Sequence, residues 1–274
     1  MPLDYHNLST FEVATAAALI LINGLISLLL KLGRERTPLI ASIRAVVQLL
    51  LIGYLLGWIF SVNRAVLVAG LMTLMSLIAG VAAVRRTPRR FPGIWLNSIV
   101  AVMASSWLVT ATALTLIIRP GVWSNHMAQY AIPLMGMILG NTLNGISLGL
   151  DRLGTELTDR RPQVEMLLTL GATRWEAARG SVQQAVRTGM IPIINSMMVV
   201  GLVSLPGMMT GQLLVGADPM AAVEYQIVIM FLIAAGTGLG TMAVVLLSYL
   251  RLFNVRHQFL SERIRSSGER RAKS

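Results

Sequence analysis

The chain contains no cysteine. That excludes disulfides, cysteine-ligated zinc, iron–sulfur clusters and a cysteine nucleophile, and it leaves the redox compartment open. Charge is sparse. Only 13% of the 274 residues are Asp, Glu, Lys or Arg while 55% are hydrophobic, whereas a soluble domain is roughly 25% charged. A water-soluble globule of this composition would expose more apolar surface than water tolerates, so an ordinary soluble enzyme, a disordered chain and a fibrous protein are all excluded. Lysine is missing from the whole interval between Lys31 and Lys273, which rules out a lysine Schiff base within the apolar stretches. No G-x-x-x-x-G-K-[ST] segment occurs, so the chain has no Walker A loop for ATP.

Long apolar runs dominate what remains. A helix crossing the hydrocarbon needs about 20 mostly apolar residues. Seven stretches qualify: Phe11–Leu30, Pro38–Phe60, Ala65–Val84, Ile94–Ile118, Ala128–Leu150, Met190–Gly211 and Tyr225–Leu250. No strand-like alternation accompanies them, which argues against a barrel. The first stretch is not a cleaved leader, because a leader carries its positive charge ahead of the apolar run. Here Lys31, Arg34 and Arg36 follow it.

The net charge of +11 reads first as topology rather than nucleic-acid binding. Twenty Lys and Arg residues fall in the loops on one side of the seven stretches and in the tail, against Arg64 and Arg119 on the other. The cytoplasmic side of membrane proteins carries the Lys and Arg excess. The expected architecture is therefore an all-α integral membrane protein with seven transmembrane helices, N-terminus outside and C-terminus inside. The basic tail beyond Arg256 is expected to be solvated, near anionic headgroups.

Pumps and ion-coupled carriers usually hold ionisable groups within the membrane. None of the stretches contains an internal Asp or Glu; Glu12, Asp151, Asp218 and Glu224 stand at rims. Transport work would then draw its energy from a cytoplasmic partner. The segment Gly145-Ile-Ser147-Leu-Gly149 fits the G-x-S-x-G nucleophile elbow, but the only histidines are His6, His126 and His257, all outside the stretches. Small-xxx-small helix packing accounts for it better, and the same spacing recurs at Gly53/Gly57, Gly136/Gly140, Gly207/Gly211 and Gly236/Gly240.

The loop 151–188 is the longest, and it carries helix punctuation. Pro162 suits a first helical turn, Gly171 a helix end, and Thr173-x-x-Glu176 a capping box. Val164, Leu167, Leu168, Gly171 and Trp175 share one expected apolar face. Such a short surface helix can enter a groove on a partner or rest on lipid. Glu165-Met-Leu-Leu168-Thr-Leu-Gly171-Ala172-Thr173-Arg174-Trp175-Glu176 resembles the coupling loop of ABC transporter permeases, which insert this helix into an ATPase subunit. Downstream it departs from the importer pattern, with Gln184 where importers place a proline.

The sixth stretch is expected to break at Pro206-Gly207, since a proline frees the carbonyl four residues earlier. Irregular backbone at membrane depth survives only when buried or lining a cavity. Met208 and Met209 could contact a soft or borderline metal or simply fill space. Asn141 and Asn144 share a face and either bond between helices or line a route. Arg44, with Gln48 one turn on, either snorkels to the interface or pairs inside the bundle. Asn195 and Gln212 complete the candidate pathway.

Together, Arg44-Ala-Val-Val-Gln48-Leu, Pro133-Leu-Met-Gly-Met-Ile-Leu-Gly-Asn141, Leu168-Thr-Leu-Gly-Ala-Thr173, Val200-Gly-Leu-Val-Ser-Leu-Pro-Gly-Met-Met-Thr-Gly211, Gly216-Ala-Asp218-Pro219 and Tyr225-Gln226-Ile227 resemble the FetB-type permease family. The resemblance implies the membrane subunit of a FetA/FetB-like ABC complex in the bacterial inner membrane, exporting iron and easing oxidative stress. It implies two copies of this chain with two ATP-binding subunits, ATP and magnesium being held by the partner and no cofactor by this chain. Residues 1–256 would form one permease domain and 257–274 a basic cytoplasmic tail. A seven-helix sensor and an ATP-independent channel or carrier are the rival expectations.

Overall fold

The computed structural model describes residues 36–62, 64–117, 127–254 and 256–266, with scattered helical positions between Glu12 and Leu29. Most of the first expected span and the last residues of the tail lie outside the described residues.

Helix α1 runs Arg36–Val62 and α2 runs Ala65–Arg85. A two-residue strand, β1 (Arg89–Arg90), precedes α3 (Ile94–Thr112), which tightens into a π-helical turn over Ala113–Ile117. Helix α4 runs Met127–Asp159, the short α5 Arg161–Thr169 and α6 Arg174–Val199. Helices α7 (Gly207–Leu214) and α8 (Pro219–Leu252) follow, and β2 (Arg265–Ser266) pairs antiparallel with β1. Among the described residues five helices are long and apolar enough to cross a membrane: α1, α2, α3 with its π turn, α4 and α8. The protein is a helical, multi-pass membrane protein.

The sixth expected span is not one helix. It ends at Val199, seven residues before Pro206, and Pro206 instead caps the separate helix α7. The chain turns where Gly201 adopts φ +80° and its N–H donates to the Ser204 carbonyl at 2.9 Å. Mean apolarity carries straight through this turn, so hydropathy cannot see it. Pro192, by contrast, is accommodated within α6.

Glycines set the core. A Cβ built on Gly145 would stand 2.6 Å from the Thr241 hydroxyl and 3.1 Å from the Gly189 carbonyl. One on Gly189 would stand 2.6 Å from the Gly145 carbonyl, and one on Gly240 2.5 Å from the Thr142 methyl. Backbones this close gain dispersion and interhelical contacts that lipid cannot supply. Gly145-x-Ser147-x-Gly149 thus lies mid-helix as a contact face. Gly236 and Gly240 behave likewise, whereas Gly53, Gly57, Gly140, Gly207 and Gly211 would meet nothing within 4 Å. These contacts place α4 and α8 parallel and directly packed, with α6 antiparallel against both.

At one end the bundle is rich in arginine. Glu156, buried on α4, pairs with Arg152 and, at 2.9 Å, with Arg160. Arg86 donates to Asn144 Oδ1 at 2.7 Å, and Arg89 donates to the Thr155 hydroxyl and lies 3.8 Å from Asp159. At about 1.5 Å per residue, α4 and α8 are both longer than the ~30 Å hydrocarbon is thick.

Candidate functional site

The α5–α6 turn is built by local rules. Pro162 opens α5. At its end the Ala172 N–H donates to the Leu167 carbonyl at 3.0 Å and the Gly171 N–H to the Leu168 carbonyl at 3.1 Å. These are the two bonds of a Schellman closure. Gly171 sits at φ +91°, where any side chain is strained. Helix α6 then starts on a full capping box. Glu176 N–H donates to the Thr173 hydroxyl at 3.3 Å, and Thr173 N–H donates to Glu176 Oε2 at 2.7 Å. Arg161 Nε donates to Glu165 at 2.7 Å across one turn of α5.

The apolar residues of this turn divide between two faces rather than sharing one. Val164 is buried and Leu168 packs on the core. Met166, Leu167, Leu170 and Trp175 face outward, Leu170 at 76% exposure. The period misplaced Leu167, and it missed Met166 and Leu170. The turn thus carries an exposed apolar knob at the charged end of the bundle.

The tail is not a free solvated end through residue 266. Trp175 meets Tyr249 edge-on at 5.6 Å, Tyr249 meets Phe253 at 5.3 Å, and Phe253 stacks on Phe259 at 5.0 Å. The Arg174 backbone N–H, an orphan donor of the first turn, donates to His257 Nδ1 at 2.9 Å. His257 takes the uncommon φ of 56° to do so. This latch carries no periodic signal in the sequence; only the wide spacing of Phe253, His257 and Phe259 hints at it.

The Glu176 carboxyl is held below its ordinary value of 4.5, first by the Thr173 backbone N–H, then by the Thr173 hydroxyl, with nearby His257 adding a smaller effect. A lowered carboxyl stabilises the fold above its unfolded value, and that contribution is lost as pH falls through the lowered one. Amide protection over Trp175–Ala178 should therefore be full near neutrality and fall in an acid step below 4.5. Thr173→Ala, which removes the hydroxyl but keeps the backbone N–H, should shrink that step and cost about 1 kcal/mol of local protection. Hydrogen-exchange mass spectrometry checks both; an unchanged acid profile in the variant would contradict the cap.

At the opposite end, α7 lies against α8. Gly216 at φ +82° and the Asp218 carboxylate, which accepts the Ala221 N–H at 2.9 Å, close the turn between them. Two cavities flank α7. The first, about 490 Å³, is lined by Met137, Met208, Gln212 and Glu224 among others. The second, about 350 Å³, is lined by Met197, Met209, Gln226 and Met230. Met208 and Met209 are thus split between two cavities. Gln212 and Gln226 each bury an Oε1 without a hydrogen-bond donor. Asn141 donates to the Met137 carbonyl at 3.0 Å within its own helix. Asn144 lies at the arginine-rich end. Arg44, Gln48 and Asn195 are exposed on this single chain and do not join the others. Met197 and Met230 did not stand out in the sequence, because each is one apolar-span residue among many, and Gln226 entered only through the Tyr225-Gln226-Ile227 resemblance. Among the described residues no group of three or more His, Asp or Glu gathers to hold a metal.

The long apolar helices and the buried glycine crossings define a multi-pass membrane protein with one built turn at its arginine-rich end. Residues 10–253 match the family described as Uncharacterised protein family (UPF0014), and the chain belongs to that family. It is 42% identical over 221 residues to the UPF0014 membrane protein slr1647 of Synechocystis sp., covering 79% of this chain and 83% of that one. It is 36% identical over 257 residues to the UPF0014 membrane protein YjkA of Bacillus subtilis, covering 93% and 98%. It is 31% identical over 258 residues to the "Probable iron export permease protein FetB" of Escherichia coli, covering 94% and 97%. No solved structure matches the chain.

Proposed function

We propose that this chain is the membrane-spanning permease subunit of an ABC transporter, embedded in a bacterial inner membrane and exporting a metal ion with ATP hydrolysed by a separate subunit. One observation carries the reading: the α5–α6 turn is fixed by a Schellman closure and a capping box while Met166 and Leu170 point away from the chain and Trp175, resting on Tyr249, keeps part of its ring exposed beside them. A rigid turn with an exposed apolar knob transmits displacement; a lipid-resting helix needs no such fixation. Glu165, Leu168, Gly171, Ala172, Thr173, Arg174, Trp175 and Glu176 are assigned to coupling. Iron as cargo draws on the full-length similarity to the relative named as a probable iron export permease. Catalysis belongs to the partner.

Two copies of the chain would face each other, and pairing is what would enclose Arg44, Gln48 and Asn195. The route would run past Asn141 and the α7 break, where Met208, Met209 and Gln212 offer thioether and amide donors. Thioethers suit softer cations, and amide oxygens serve harder ones.

A photo-crosslinking residue placed at Leu170 tests the reading in native membranes. It is expected to capture a protein that binds labelled ATP analogue, while the same residue at lipid-facing Leu108 captures none. Equal capture at both positions, or no ATP-binding product at Leu170, would contradict it.

A further inference from the structure

At the arginine-rich end a third cavity, about 490 Å³, opens between the start of α3, the end of α8 and the folded-back tail. Its polar lining comes from Asn97, Arg174, Arg251, Asn254 and Arg263, and no Asp or Glu lines it among the described residues. Asn97 is only 4% exposed, and its Nδ2 has no acceptor. A buried amide donor left without an acceptor is costly, so the lining calls for an acceptor at this point.

Charge points the same way. The Arg251 guanidinium lies against the first turn of α3: a Cβ built on Gly93 would stand 2.6 Å from its Nη1. A helix start carries about half a positive charge, so two positive groups abut with no counter-ion between them. Among the described residues, Arg263 Nη1 reaches only the Arg251 carbonyl at 3.2 Å, and Arg174 Nη1 only the Asn254 carbonyl at 3.4 Å. None of the three arginines joins the ion pairs formed among the described residues, which use Arg89, Arg152, Arg160 and Arg161.

We propose that this cavity binds a phosphate-bearing anion. The phosphate would accept from Asn97 Nδ2 and sit among the guanidinia of Arg174, Arg251 and Arg263, arginine being suited to forked phosphate contacts. Leu247, Leu250 and Leu260 form the apolar wall beside it. Leu250 is half exposed on this apolar side, and an exposed apolar side chain beside the arginines favours an anionic phospholipid, headgroup and chains together, over a free phosphate. Arg174 is also the first residue of α6, so the bound anion would tie the tail and the end of α8 to the coupling turn. The site goes beyond the transport reading and stands without it.

The test uses the full chain purified in neutral detergent, with thermal unfolding as the readout. Phosphatidylglycerol in the micelles is expected to raise Tm relative to the same amount of phosphatidylcholine, and inorganic phosphate serves as the third probe. A rise with phosphatidylglycerol alone assigns the site to lipid; a rise with inorganic phosphate as well assigns it to a free phosphate anion. Asn97→Asp keeps the shape and places a carboxylate in the cavity; it is expected to weaken the effect at least about tenfold. Arg251→Gln with Arg263→Gln should do the same. Arg85→Gln with Arg179→Gln removes equal charge from outside the cavity and should keep the full shift. A wild-type chain that no probe stabilises, or an Asn97→Asp chain that responds as the wild type does, would overturn the site.

Discussion

Gly189→Ala is expected to destabilise the bundle by about 2–3 kcal/mol, the upper part of the range for overpacking a tight core. The new methyl would stand 2.6 Å from the Gly145 carbonyl oxygen and 2.5 Å from the Thr241 methyl carbon. The threonine can rotate, but the carbonyl belongs to α4's backbone and moves only if α4 and α6 separate. That separation loosens Gly145 against Thr241 as well, so the loss spreads to the contact with α8. Gly53→Ala is the matched control. It adds the same methyl to a transmembrane helix with nothing within 4 Å, and alanine's better helix propensity should leave it neutral or up to about 1 kcal/mol more stable. Reversible unfolding in mixed micelles separates the two. Equal stability of both variants would mean that the crossing is looser than these contacts require.

Trp175→Asp and Gly171→Pro are each expected to abolish partner binding, with affinity falling at least about 30-fold, as for loss of one interface hot spot. The two act differently. Trp175→Asp removes the largest apolar group of the exposed knob and adds a charge that must be desolvated on docking. Gly171→Pro leaves the knob's residues in place but forbids φ +91° and deletes the N–H that donates to Leu168. The turn then opens, and the knob loses its fixed aim. Trp175→Phe keeps an aromatic ring against Tyr249 and should retain most of the binding. A chain that holds its ATPase partner with either disruptive change would remove the α5–α6 turn from the coupling role.

The turn was legible because its determinants are local. Pro162, Gly171 and the Thr173–Glu176 box act within a few residues of themselves, so spacing alone located them. The faces were less so. Leu167 and Leu168 sit one residue apart on a short helix, and a 3.6-residue period blurs which of them faces inward. The break before α7 was half legible: Pro206 marks its end, but its start at Val200 depends on Gly201 turning back onto Ser204, within a run of high mean apolarity. The tail's latch left only a hint in the sequence. His257, Phe253 and Phe259 are placed by partners some eighty residues away or at the end of α8, and long-range pairing leaves no periodic trace. Gly189 was missed for a similar reason, since its tightness comes from Gly145 on another helix and not from a neighbour in its own.

The most direct test of the whole account is metal uptake into inside-out vesicles carrying the chain, with iron as the probe, with and without the ATP-binding subunit and with and without ATP. The expected result is accumulation of iron only when both subunit and nucleotide are present, and its loss with Trp175→Asp. Accumulation by the chain alone without nucleotide would contradict it, because a conduit that works unaided needs no fixed turn to receive a partner's motion.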